Sequence, residues 1–174
     1  ASTKSDASPI PPTGSASDAI AVSGLSYRYD DGDAPVFENL SLRVAEGEIV
    51  ALMGSNGAGK TTLARLLCAL DRPSAGSITV AGLPVSSSKH GKRPRALTRK
   101  ERAALRRNVG YVMQHPERQL FADTVAEDVA YGPRNQHLSE LEVATRVEEA
   151  LRMLHIEHLA DRSPFNLSGG QQRL

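Results

Sequence analysis

The chain has 174 residues, 40% hydrophobic and 24% charged, enough for one domain with a real core. Its net charge of +1 hides a division: Lys89 to Arg107 carries nine Lys/Arg against one acid, Glu101, which leaves the rest of the chain acidic. A single cysteine, Cys68, excludes an internal disulfide, and no apolar run approaches the ~20 residues of a membrane-crossing helix. Any work at a membrane is therefore expected from its side, through a partner.

Residues 1–18 are rich in Ser, Ala, Pro and Thr, without apolar periodicity or the apolar core of a secretory signal. They are expected to form a disordered tail, with order beginning near Ala19. Ile20, Val22 and Leu25 to Tyr29 predict a first strand, ending at the turn-rich Asp30-Asp31-Gly32-Asp33. Leu40, Leu42 and Val44 alternate with Ser41 and Arg43, as in a half-buried strand. Ile49 to Met53 is apolar on both faces, the pattern of a parallel strand covered by helices.

Gly54-Ser55-Asn56-Gly57-Ala58-Gly59-Lys60-Thr61 follows that run. It is a complete G-x-x-x-x-G-K-T phosphate-binding loop between a strand and a helix, where its mechanism requires it. Glycines let the backbone wrap around phosphates, and the next helix presents its N-terminal dipole to the same charge. Lys60 is expected to neutralise the β- and γ-phosphates, the Thr61 hydroxyl to ligate Mg²⁺, and Thr62 to add a phosphate contact. The helix is predicted from Gly59 to Leu70, with Cys68 inside its buried run, and stops at Asp71-Arg72-Pro73.

Ile78 to Val80 predicts another short strand, and Val109 to Met113 a second covered one. Capping pairs mark three helix starts: Thr98 with Glu101, Thr124 with Glu127, and Ser139 with Glu142. The last helix is expected to pack Leu141, Ala144, Val147, Leu151 and Leu154. The basic stretch from Lys89 reads as a solvated loop and helix face. Anionic lipid is the next reading, and nucleic acid is disfavoured by the scarcity of interleaved aromatics.

Near the end stands Leu167-Ser168-Gly169-Gly170-Gln171. Ser168 suits an N-cap, Gln171 completes the capping pattern, and Gly169-Gly170 leave the helix start bare for a phosphate.

With both motifs present, the chain resembles the nucleotide-binding subunit of an ABC transporter over residues ~20 to 174. The resemblance implies an α/β P-loop nucleoside triphosphatase of ABC type: a RecA-like parallel sheet core, a small antiparallel β subdomain and a helical subdomain near residues 115–165. It implies ATP and Mg²⁺ as cofactors, and a head-to-tail pair with a second ABC ATPase subunit. Ser168, Gly169, Gly170 and Gln171 would then close over ATP held by the partner. Gln114 matches the Q-loop glutamine, a Mg²⁺ ligand and water-positioning group. Tyr29 matches the aromatic that stacks on adenine, with Tyr27 as its competitor.

The stretch Gln114-His115-Pro116-Glu117-Arg118-Gln119-Leu120-Phe121 is similar to ATPases of energy-coupling-factor importers, which move vitamins or cobalt and nickel ions. This implies a place at the cytoplasmic face of the membrane. It also implies contact near Glu117 with a transmembrane coupling subunit, and through it with a substrate-binding membrane protein. Arg118 departs from the acidic or amide residue that group carries.

The family's Mg²⁺-binding aspartate, catalytic glutamate, D-loop and histidine all follow the signature, so none is expected in residues 1–174. His90, His115, His137, His155 and His158 all precede it. These residues alone are therefore expected to bind ATP weakly and not to hydrolyse it, with the apolar segments at Val50 to Leu52 and Val109 to Val112 short of sheet neighbours. The alternatives are a nucleotide-binding partner that does not hydrolyse, and a soluble ABC protein not engaged in transport.

Overall fold

A computed structural model describes residues 18–29, 34–86 and 94–174. The expected tail up to residue 17, the turn at 30–33 and the first part of the basic stretch, 87–93, lie outside the described residues. The chain divides after Gly110 into two compact units.

In the first unit, β1 (Asp18–Tyr27) lies between β2 (Phe37–Ala45) and β3 (Ala75–Val80), and β4 (Leu83–Ser86) pairs with β3, every pairing antiparallel. On β2, Leu40, Leu42 and Val44 turn inward and Ser41 and Arg43 outward, as their alternation predicts. Strand β1 buries both Val22 and Leu25, three residues apart, which simple alternation forbids. A register shift between them resolves this: Gly24 takes φ 59° and donates its N–H to Ser41 Oγ at 3.0 Å.

Strand β4 carries no expectation from the sequence. It exists because Ala81 and Gly82, both at positive φ (49° and 71°), make a two-residue hairpin turn whose twist matches the strands.

The helix after the phosphate loop, α1 (Lys60–Leu67), packs Leu63 and Leu66 against Val22, Leu25, Ile78 and Val80. It stops before the predicted Leu70. Ala69 is left-handed (φ 55°), Leu70 N–H returns to Arg65 O at 2.9 Å and Ala69 N–H to Leu66 O at 3.1 Å, which is a Schellman stop. Cys68 becomes the C-cap, half-buried, and burial pushes its thiol pKa up. α2 (Arg99–Asn108) starts on the Thr98–Glu101 capping box and buries Leu105 in the same core.

Neither segment predicted as a covered parallel strand is a strand. Ile49 to Met53 has no ladder partner, with Ile49 99% and Met53 88% exposed; Val109 to Met113 likewise pairs with nothing, and Val112 is 80% exposed. A strand exists only by pairing, and no described segment offers these two an edge. The exposed apolar surface expected at Val50, Leu52 and Val112 is present.

The second unit pairs α3 (Val125–Asn135) with α4 (Glu140–Met153). Val125, Leu151, Ile156 and Leu159 form its core, and the N–H groups of Val125 and Ala126 donate to Arg162 O and Ala160 O. Ser139 and Glu142 form their capping box, and Thr124 Oγ1 accepts from Glu127 N–H. On α4 the expected Val147 and Leu151 face inward and Val143, four residues before Val147, joins them, whereas Leu141, Ala144 and Leu154 are exposed. α3 and α4 also end in Schellman stops, with His137 (φ 61°) and His155 (φ 57°) in the left-handed position usually held by glycine.

Candidate functional site

The phosphate loop runs exposed from Gly54 to Ala58 and enters α1 through Gly59, which serves as N-cap in a left-handed conformation, φ 87°. Only glycine fits there on two counts: the conformation itself, and a Cβ that would fall 2.7 Å from Val36 Cγ1 and 2.8 Å from Phe37 Cζ. Gly57, at φ 82°, makes the preceding turn. No side chain caps the start of α1 and no acid stands in its first turn, so the N–H groups there remain free for an anion.

Lys60 folds back over the loop. Its Nζ donates to Gly54 O and Ser55 O, each at 2.7 Å, so the ammonium is held where the backbone curls. Ser55, Asn56 and Ala58 complete the concave backbone, with Ala58 N–H bonded to Ser55 O. The next residue, Thr61, is exposed, and its hydroxyl is the hard oxygen donor that Mg²⁺ prefers. These residues fit a magnesium-bound polyphosphate: a lysine, unclaimed N–H groups and a threonine hydroxyl converge within eight residues.

The Thr62 side chain is turned inward, the residue is 5% exposed, and its Oγ1 lies 2.6 Å from the Tyr29 hydroxyl. Tyr29 is 46% exposed, just past the end of β1. Its ring meets that of Tyr27 edge to face, with centroids 5.0 Å apart and planes at 85°. Tyr27, the competing candidate for the base, is buried in the core and cannot offer a face to a ligand. Tyr29, Lys60, Thr61 and Thr62 thus gather in the first unit.

Gln114 and the signature belong to the second unit. Gln114 is exposed at a bend that leads into a 3-10 turn, Pro116–Gln119. At the other end, Ser168 and Gln171 cap one another: Gln171 Oε1 accepts from Ser168 N–H at 3.1 Å and from Ser168 Oγ at 3.0 Å, while Gln171 N–H reaches Ser168 Oγ at 3.4 Å. The pattern expected from the sequence is formed, over a 3-10 turn at Gln171–Arg173. Gly169 and Gly170 are exposed, and a methyl on either would meet nothing within 4 Å. Their absence of side chains therefore leaves a bare surface rather than relieving a clash.

Sequence reasoning missed one residue here, Arg173. Its Nε stands 3.5 Å from Glu117 Oε2, which is buried and otherwise without a hydrogen-bond partner, while Glu117 Oε1 lies 3.2 Å from His115 Nδ1. The Glu117 backbone N–H, the His115 ring and the Arg173 charge together hold the Glu117 carboxyl below the usual range, against some opposing burial. No local periodicity relates two charges so far apart in sequence. A cavity of about 460 Å³ lies between α3 and α4 over Ala126, Ala130, Val143 and Val147; it includes none of the predicted site residues.

Comparison with known proteins follows the same motifs. A family model described as ABC transporter matches residues 37–174. A protein of Bifidobacterium longum named for ABC transporter ATP binding is 66% identical over 158 residues, 89% of this chain and 20% of that protein. The energy-coupling factor transporter ATP-binding protein of Methanocaldococcus jannaschii is 39% identical over 154 residues, 88% of this chain and 51% of its own length. Among solved structures, cbiO1 of Clostridium perfringens, part of an ABC transporter complex, superposes with a TM-score of 0.74 at 35% identity, covering 90% of this chain and 58% of that one. An ATP-binding cassette solved as a dimer with ADP and Pi superposes at 0.70 with 25% identity, covering 88% and 65%. The chain thus spans about half the length of the Methanocaldococcus protein and a fifth of the Bifidobacterium one. The α/β P-loop fold class follows from these likenesses, although the sheet present among the described residues is the antiparallel one. By the match over most of its length, the chain belongs to the ABC transporter family.

Proposed function

We infer that the complete protein binds and hydrolyses ATP as the motor subunit of a membrane importer. Lys60 carries this reading: an ammonium held on two loop carbonyls, beside an uncapped helix start, is a seat for a polyphosphate. When bound, Mg²⁺ would supply charge neutralisation on the phosphates, with Thr61 and Gln114 as its protein ligands. Lys60 would hold the terminal phosphates and Tyr29 the base. Residues 19–174 form part of a nucleotide-binding domain, with a helical subdomain near 115–165.

The finer reading is an importer of the energy-coupling-factor type, for vitamins or transition-metal ions. It is supported by the name of the Methanocaldococcus relative and by the sequence following Gln114. The subunit would sit peripherally at the cytoplasmic face. Its partners would be a second ATPase subunit, whose ATP receives Ser168 to Gln171, a coupling subunit near Glu117, and through it a substrate-binding membrane protein.

The test is magnesium-dependent ATP turnover by the complete polypeptide, alone and reconstituted with its coupling subunit. Turnover lost in Lys60→Ala is the expected result. Binding without turnover would leave a non-hydrolysing partner, and turnover indifferent to any membrane subunit would favour a soluble ABC protein.

A further inference from the structure

The charge on α2 is one-sided. At the helical repeat, Arg99, Arg102 and Arg106 fall in one row and Lys100 and Arg107 in a second beside it. All five are exposed, opposite Leu105, which anchors the helix in the core. Glu101, the one acid of α2, falls near Leu105 instead and is taken up by Arg95 and by the N–H and hydroxyl of Thr98. Arg102 donates to Leu97 O at 3.1 Å, which leaves its charge uncancelled. Arg99, Lys100, Arg106 and Arg107 have no acidic partner among the described residues.

Folding does not account for this face. The helix dipole favours cations at Arg106 and Arg107 in the last turn, but it opposes Arg99 and Lys100 in the first. Arg102 also repels Arg99 and Arg106, three and four residues away. By contrast, α3 and α4 carry both signs. Outside Lys89 to Arg107 the chain is acidic, so a polyanion that met the protein broadly would be repelled, whereas a flat anionic surface meets one face alone. α2 has no aromatic residue on which a base could stack.

We propose that the exposed face of α2 rests on an anionic phospholipid bilayer, a membrane contact of the protein's own that is separate from any coupling subunit. It rests on the reading that the complete protein works at a membrane. The contact is with charge and not with shape, because arginine and lysine are mixed along the face.

Flotation of the complete polypeptide with vesicles tests this, using phosphatidylcholine alone against equal parts phosphatidylcholine and phosphatidylglycerol. Each cation near such a surface is worth roughly fivefold in partitioning. Arg99→Gln with Lys100→Gln is therefore expected to weaken binding to the anionic vesicles roughly 25-fold, and adding Arg106→Gln and Arg107→Gln should abolish it. Replacing Arg99, Arg106 and Arg107 by lysine should leave partitioning unchanged. Binding should also vanish toward 1 M salt, where the screening length is about 3 Å. The substituted positions are exposed and outside the phosphate loop, so unchanged circular dichroism and unchanged Mg²⁺–ATP binding would certify the fold of each variant.

Equal partitioning onto both kinds of vesicle would overturn the proposal, as would anionic binding that survives the four glutamines. Flotation seen only when the coupling subunit is in the bilayer would overturn it too. So would a duplex oligonucleotide bound more tightly than anionic vesicles and lost in the same variant, which would make the face a nucleic-acid contact. Failure of the importer reading looks different: ATP turnover would be indifferent to any membrane subunit, while the vesicle measurement would still decide the role of α2.

Discussion

Gly59→Ala tests how the phosphate loop is joined to its helix. Gly59 is the N-cap of α1 at φ 87°, a conformation that costs an L-residue about 1–2 kcal/mol. The added methyl would also meet Val36 Cγ1 at 2.7 Å and the Phe37 ring at 2.8 and 2.9 Å, distances that real Cβ atoms do not show. Val36 is short and packed against the core, so the neighbours cannot yield by rotation alone, and overpacking of this kind costs about 1–3 kcal/mol. Alanine stiffens the unfolded chain, which returns about 0.4–1 kcal/mol. The net expectation is a loss of about 3 kcal/mol, close to a hundredfold in the unfolding constant at 1.4 kcal/mol per decade.

Urea denaturation followed by far-UV circular dichroism would measure it. Because the chain forms two compact units, amide exchange in β1 and β2 would assign the loss to the first. A faster exchange there with the second unit unchanged is the expected pattern. An unchanged or raised stability would refute both the left-handed helix start and the packing of Val36 and Phe37 beneath it.

At the other end of α1 the sign reverses: Ala69 holds the left-handed stop position at φ 55°, so Ala69→Gly should stabilise the first unit by about 1 kcal/mol, read as a higher urea midpoint at constant slope. Glu101 is gripped by the Arg95 guanidinium and by the Thr98 backbone and hydroxyl, which lower its pKa to about 2. Its folded value lies below its unfolded one, so its contribution is fully present above about pH 4.5 and drains as pH falls toward 2. Carbon-detected NMR titration should show this midpoint, and Arg95→Gln should raise it. Arg173 and Glu117 join the signature turn to the segment after Gln114, so Glu117→Gln should quicken amide exchange at Gly170 and Gln171 by up to roughly fivefold, the worth of a partly exposed pair. The charge-reversed pair, Glu117→Arg with Arg173→Glu, should restore protection, and unchanged exchange in Glu117→Gln would deny the brace.

The motifs were legible because their chemistry is local. Gly54 to Thr61 states its backbone demands within eight residues, and the pairs Thr98–Glu101, Ser139–Glu142 and Ser168–Gln171 cap as written because a side chain and the N–H three residues on meet in any helix start. Strand β2 was legible for the same reason, since its alternation needs only one covered face.

What required the tertiary structure depends on neighbours distant in sequence. Ile49 to Met53 and Val109 to Met113 carry every local mark of strands and form none, because pairing is a property of two segments and no described segment pairs with them. Residue spacing places Tyr29 and Thr62 in separate motifs, yet a 2.6 Å bond joins them. Arg173 reaches Glu117 by the same kind of closure. The phosphate-binding chemistry was therefore determined by consecutive residues, whereas the contact of Tyr29 with Thr62 and the partner of Glu117 were decided when packing brought distant side chains within reach.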